Sequence, residues 1–122
     1  IYKKDIKPLT VVKTVQHIDI LPTVLDYLNY DKPYYSLDNS MFSPKDQPII
    51  YYPSPNFCCV KDSFLYVLRD YKFVEKYNFK SDSLLSTNIV DPKKDEKLLA
   101  FCKAYIQNYN DGLIRNTTYY KK

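Results

Sequence analysis

The sequence predicts an α+β fold: an N-terminal strand remnant and helix, an antiparallel β meander of three or four strands, and a C-terminal helix packed on the sheet. Two observations carry that prediction. Between Ile49 and Phe79, short apolar and aromatic runs are separated by only a few polar residues, and links that short cannot join parallel neighbours, which need a crossover of roughly a dozen residues or more. Flanking this block, apolar residues recur at helical spacing, at Ile18, Leu21, Leu25 and Leu28 with Val24 beside them, and again at Leu98, Cys102, Tyr105, Ile106, Tyr109 and Leu113.

Taken in order, Ile1 and Tyr2 ahead of Lys3-Lys4-Asp5 read as the end of a strand, and Val11 to Val15 is β-branched and extended. The run His17 to Leu28, HIDILPTVLDYL, predicts a helix from Asp19 or Ile20 to about Asn29. Pro22 is tolerated in its first turn, where N–H groups have no partner within the helix, and Asp19 is placed to cap those donors. Tyr30 to Gln47, with Pro33 and Pro44, predicts a long surface loop over part of the sheet, anchored at Met41-Phe42. Strands are predicted at Ile49 to Tyr52, Phe57 to Val60, Phe64 to Leu68 and Tyr71 to Phe79, with turns at Lys61-Asp62-Ser63 and Arg69-Asp70. On the last strand, simple alternation puts Tyr71, Phe73, Tyr77 and Phe79 on one face, with Glu75 as a misfit, and Lys72, Lys76 and Lys80 on the other. Asp91-Pro92 predicts the next helix start, aspartate capping and proline first; Asn110-Asp111-Gly112 predicts its fraying or end, and Thr117 to Lys122 reads as a tail.

Composition narrows function by exclusion. At 122 residues and 45% hydrophobic content the chain suits one unit with its own core. One glycine rules out a glycine-rich phosphate cradle, and one histidine rules out a histidine cluster for zinc. Cys58, Cys59 and Cys102 form no C-x-x-C pair; they read as small buried residues, with a bridge from Cys58 or Cys59 to Cys102 as the oxidised alternative. Eighteen basic against fourteen acidic residues gives a formal charge of +4, and the lysines are scattered, so no nucleic-acid partner is expected. No run approaches the roughly 18 apolar residues of a membrane helix, and the first residues hold no secretory apolar region, so no membrane contact is expected of this chain.

A family pattern overlies these signals. His17-Ile18-Asp19-Ile20-Leu21-Pro22-Thr23-Val24-Leu25-Asp26, then Asn39-Ser40-Met41-Phe42, then Tyr77 to Ile89 (YNFKSDSLLSTNI), resemble in order and spacing the late part of the sulfatase and phosphoglycerol transferase branch of the alkaline phosphatase superfamily, which includes lipoteichoic acid synthases. The resemblance runs from Ile1 to about Val90, and departs from the family pattern at Asp38, where a glycine is usual, and at Ser83, where a proline is usual. It implies a metal-dependent parent enzyme acting on sulfate or phosphate esters, whose hydroxyl or modified-cysteine nucleophile and divalent-metal ligands precede the HIDILPT helix. On that implication residues 1–48 are the end of the catalytic sheet with its helix and loop, and residues 49–116 are the meander and helix. The partner is the missing N-terminal catalytic portion of the same protein, outside the cytoplasm on a membrane-anchored parent. The fragment alone has no catalytic, cofactor-binding or metal-binding residue.

The residues themselves leave two other candidates. His17 with Asp19 is half of an acid–base pair, but both sit at a helix entrance, where polar groups commonly satisfy backbone donors, so a structural role is expected. Asp26, Asp31 and Asp38 lack the spacing and closing glutamate of a calcium loop. The alternative to the enzyme reading is a small stand-alone module that uses a tyrosine-rich sheet face to bind carbohydrate or peptide.

Overall fold

The structure is a computed structural model that describes residue 10 and residues 12–118. Its order is helix, four strands, helix: α1 (Ile20–Tyr27), β1 (Ile49–Tyr51), β2 (Phe57–Lys61), β3 (Phe64–Arg69), β4 (Lys72–Asn78) and α2 (Glu96–Ile114). The strands form one antiparallel sheet in the order β1-β2-β3-β4, so the α+β meander predicted from the short polar links is what forms. The strand expected at Ile1 and Tyr2, part of the 11–15 segment and most of the tail lie outside the described residues.

One 3-10 turn, His17–Asp19, leads into α1. Asp19 does not cap the first turn of α1 as its position suggested. Its Oδ2 accepts from the Gln16 backbone N–H at 2.7 Å, so it closes the 3-10 turn instead. Both helices end alike. Asn29 and Asn116 adopt the left-handed region, with φ of 53 and 52, and the next residue reaches back: Tyr30 N–H to Leu25 C=O and Thr117 N–H to Gly112 C=O, both at 2.9 Å. This is the six-to-one bond of a Schellman end, with asparagine in the usual glycine position. Gly112 therefore does not stop α2, which continues to Ile114. The helix also starts later than Asp91-Pro92 suggested. Asp91 caps only a preceding turn, through Oδ1 to the Lys93 N–H, and the α-helical ladder begins with Leu99 N–H on Asp95 C=O.

The last hairpin differs from the simple alternation in two ways. Its turn is Asp70-Tyr71, both at positive φ (48 and 58), so Tyr71 is an exposed turn residue and not part of the strand. Positive φ at both central residues is the geometry that matches the twist of a two-residue hairpin. Then a bulge interrupts the register: Val67 faces Glu75 while Leu68 faces Phe73, leaving Val74 as the extra residue. The bulge inverts the parity of the strand beyond it. Lys76 lands opposite Tyr66 on the core face, together with Phe73, and Glu75 and Tyr77 turn to the other side.

The core lies between that face and α2. Ile50, Cys59, Tyr66, Leu68 and Phe73 from the sheet meet Cys102 and Ile106 from the helix. Tyr66 and Phe73 rings sit 4.8 Å apart, a tilted aromatic contact. Lys76 is accommodated because its ammonium is fully engaged: Nζ lies 2.9 Å from both Asp95 carboxylate oxygens and over the rings of Phe64 and Tyr66, at 4.7 and 4.9 Å. The C-terminal part of the helix stripe is less covered than its spacing suggested. Tyr109 and Leu113 are largely exposed, and Gly112 takes the inward place near the Tyr35 hydroxyl.

Each sheet edge is treated differently. Outside β4, Ile89 N–H donates to Lys76 C=O, Asn88 Oδ1 accepts from Lys76 N–H, and Asn88 Nδ2 donates to Val74 C=O. The asparagine amide thus stands in for a neighbouring strand. Outside β1, no backbone hydrogen bond is made among the described residues.

Candidate functional site

Two grooves lie along the edge of β1. A groove of about 240 Å³ runs between β1, the start of β2 and α2, walled by Tyr51, Tyr52, Phe57, Tyr105 and Tyr109, with Ile18 and Leu37 closing its rim. A second, wider groove of about 640 Å³ runs along the β1 edge toward α1, between Ile49–Tyr51 and residues Val15, His17, Ile18, Ile20 and Met41. Ile18, Ile50 and Tyr51 line both, so the two form one apolar trough.

Local chemistry explains the walls. Tyr52 comes directly after β1 and stacks on Phe57 with ring centroids 4.7 Å apart, which holds the β1–β2 link against the trough. Tyr105 projects from α2 one residue before the buried Ile106. Its phenol is pushed up to about 12, first by burial and then by the nearby Asp38 and Asp19 carboxylates. It is a neutral hydrogen-bonding group at any physiological pH.

On the α1 side the buried face is polar and the exposed face is apolar. Pro22, Thr23 and Asp19 point inward, whereas Ile18, Ile20, Leu21 and Leu28 are 44% to 64% exposed. The cause is a hydrogen-bond chain through Thr23. Its Oγ1 donates to Asp19 C=O at 2.5 Å and accepts from the Met41 N–H at 2.8 Å, tying the long loop to the polar side of the helix. Gln16 Nε2 adds a bond to Asp38 Oδ2, and Lys13 Nζ one to Ser43 C=O at 2.9 Å. The apolar stripe is thereby turned away from the loop.

None of the residues singled out by sequence forms a reactive centre. His17 is exposed on the trough wall, but Asp19 does not orient it: one carboxylate oxygen accepts from Gln16 and the other, buried, has no hydrogen-bond partner among the described residues. Burial raises the Asp19 carboxyl above the usual range, the Gln16 N–H opposes this, and Asp38 reinforces it. Asp26 and Asp31 are exposed, and Asp38 is engaged with Gln16, so the three share no centre. Among the described residues no three His, Cys, Asp or Glu side chains converge as metal ligands, so no ligand set for the divalent metal implied by the resemblance is found there. No helix among them is long and apolar enough to cross a membrane. The trough itself was not anticipated as a site, because its walls come from residues some fifty positions apart; the abundance of tyrosine was its only trace in the sequence.

Comparisons with protein families, with curated proteins and with solved structures find no match to this chain.

Proposed function

We propose that this chain is the C-terminal structural subdomain of a metal-dependent sulfatase-like or phosphoglycerol transferase-like enzyme, bracing a catalytic centre built from preceding segments of the same protein. The observation that supports it is the outward apolar face of α1 and its entrance turn, Ile18, Ile20, Leu21 and Leu28, beside a strand edge with no backbone partner among the described residues. Fully burying one such side chain from water contributes about 1.5–3 kcal/mol and these are roughly half exposed, so covering all four would contribute about 3–6 kcal/mol to an interface. Three of these four, Ile18, Ile20 and Leu21, lie in the HIDILPT segment that resembles the family. In the parent, the metal would stabilise the nucleophile and the charge developing on the ester. The residues of this chain would supply shape and support, and none of them is assigned to the reacting atoms.

The test begins with the mass and sequence of the intact gene product. The expected outcome is a longer polypeptide with a hydroxyl or cysteine nucleophile and carboxylate and histidine ligands upstream. That protein should hydrolyse an aryl sulfate or a phosphoglycerol lipid in the presence of a divalent metal ion, and Leu21→Asp should impair it. Ester turnover by the 122-residue chain alone would overturn the proposal.

A second reading is favoured by one observation, the five aromatic walls of the narrower groove. Tyrosine faces suit sugar rings and extended peptides, and a stand-alone module of that kind would show saturable binding to a carbohydrate array that Tyr52→Ala and Tyr105→Ala abolish.

A further inference from the structure

Three cysteines are present, all free and all buried, yet they are not equivalent. Cys58 and Cys59 are neighbours on β2 and so point to opposite faces of the sheet. Cys59 sits in register with Ile50 and Tyr66, both in the core under α2. Cys58 pairs with Tyr51 and Val67 on the other face. Cys102 lies on α2 one turn before Ile106 and belongs to the same core cluster as Cys59. Cys59 and Cys102 share that one cluster beneath α2, and both residues are 1% exposed. Two cysteines buried in one cluster across a helix–sheet interface, with only one rotatable bond before each sulfur, are the pair placed to bond.

We propose that Cys59 and Cys102 are a built disulfide site, closed by a small-molecule disulfide such as oxidised glutathione while the chain folds, so that α2 is riveted covalently to β2. Cys58 is left out of the bridge because the sheet stands between it and Cys102. The chemistry balances as thiol–disulfide exchange. One cysteine thiolate attacks the small disulfide, forming a mixed disulfide and releasing one small thiolate. The second cysteine sulfur then attacks the protein sulfur of that mixed disulfide, forming the Cys59–Cys102 bond and releasing the other small thiolate. Both protein thiol protons end on the released small thiols; two protein thiols are oxidised and one small disulfide is reduced. Burial dictates the timing, since sulfurs 1% exposed meet an oxidant before α2 has docked and not after. This inference concerns the chain's own redox state and stands whether or not the enzyme reading does.

The test refolds the full chain from denaturant by dilution into buffer with oxidised and reduced glutathione, then alkylates it in fresh denaturant without reductant. The expected product is monomeric, lighter than the reduced protein by two hydrogen atoms before labelling, and carries a single alkyl group. Fragmentation of the peptide spanning residues 46–61 places that label on Cys58. The oxidised form melts roughly 10 °C or more above the reduced form, as closure of a loop of some forty residues predicts. Three alkylated cysteines, a bridge that includes Cys58, a covalent dimer, or an unchanged melting temperature would each overturn the proposal. The readouts use the wild-type chain, so no variant has to fold.

Discussion

Lys76 offers the sharpest check on the fold, because the bulge at Val74 is what brings it to the core face. Its ammonium lies 2.9 Å from each Asp95 carboxylate oxygen, and the two side chains are only 13% and 10% exposed. The Tyr66 hydroxyl adds a 3.2 Å bond to Asp95 Oδ1. Burial alone would depress the Lys76 ammonium, but the hydrogen bonds and charges of Asp95 and Tyr66 outweigh it and raise the group. Lys76→Met keeps the packing of the stem and removes the charge, leaving a nearly buried carboxylate with one neutral donor. Breaking a fully buried pair from one side costs about 3–5 kcal/mol; with a tenth of each side chain still in water, about 2–4 kcal/mol is expected here. Asp95→Asn should cost a comparable amount. The double variant buries no lone charge, so it should lose less than the sum of the two, with a coupling energy of at least about 1.5 kcal/mol. Urea unfolding monitored by far-UV circular dichroism measures all four corners of the cycle, the chain having no tryptophan. Single-variant losses under about 0.5 kcal/mol with no coupling would be the behaviour of a solvent-exposed pair, and would refute the placement of Lys76 and the bulge with it.

The geometry fixes three further outcomes. Gly112→Ala gains helix propensity of about 1 kcal/mol, and its methyl would meet Thr118 Cγ2 and Tyr35 Oη at an ordinary 3.4 Å, so a net stabilisation of about 0.5–1 kcal/mol is expected in thermal unfolding; a net loss would mean the helix C-terminus is packed more tightly than those distances allow. Asp19 has a folded-state pKa above its unfolded value, so its stabilising contribution is complete below about pH 4 and is lost as pH rises through the folded value; the stability of Asp19→Asn relative to wild type should therefore climb from about pH 4 to pH 7, and a flat or falling difference in urea titrations would contradict the burial of that carboxyl. Asn116→Val places a β-branched side chain at φ 52 and should destabilise by about 1–2 kcal/mol where Asn116→Gly is neutral or better; equal melting temperatures for the two would argue against the left-handed helix end.

Much of the architecture was legible in the sequence, and the departures from it have physical causes. Short polar links between apolar runs dictated an antiparallel meander, and two helical stripes dictated the flanking helices. Period-two reading fails on the last strand because one extra residue, Val74, reverses every later position, and Glu75 standing among aromatics was the visible sign of it. The turn falls one residue later than expected because Tyr71 is an unusual occupant of positive φ in a chain almost without glycine. Asp91-Pro92 carries a valid start signal that is honoured by a local turn, while the helix proper waits for Asp95, which the Lys76 ammonium and Tyr66 hydroxyl hold at the edge of the core. Of the trough only the abundance of tyrosine was legible, since Tyr51, Tyr52 and Phe57 meet Tyr105 and Tyr109 only through tertiary packing. Helical spacing located the α1 stripe correctly but carries no information on which way it faces; the Thr23 bonds to Asp19 and Met41 decide that.

The unequal treatment of the two outer strands has a consequence for self-association. With Asn88 and Ile89 occupying one side, backbone pairing between copies is confined to the β1 side among the described residues. Two molecules joined there would each satisfy the other's β1 edge. Pairing between copies through β1 is thus closed by a two-fold exchange, whereas pairing beyond β4 would first have to displace the Asn88 amide and the Ile89 N–H.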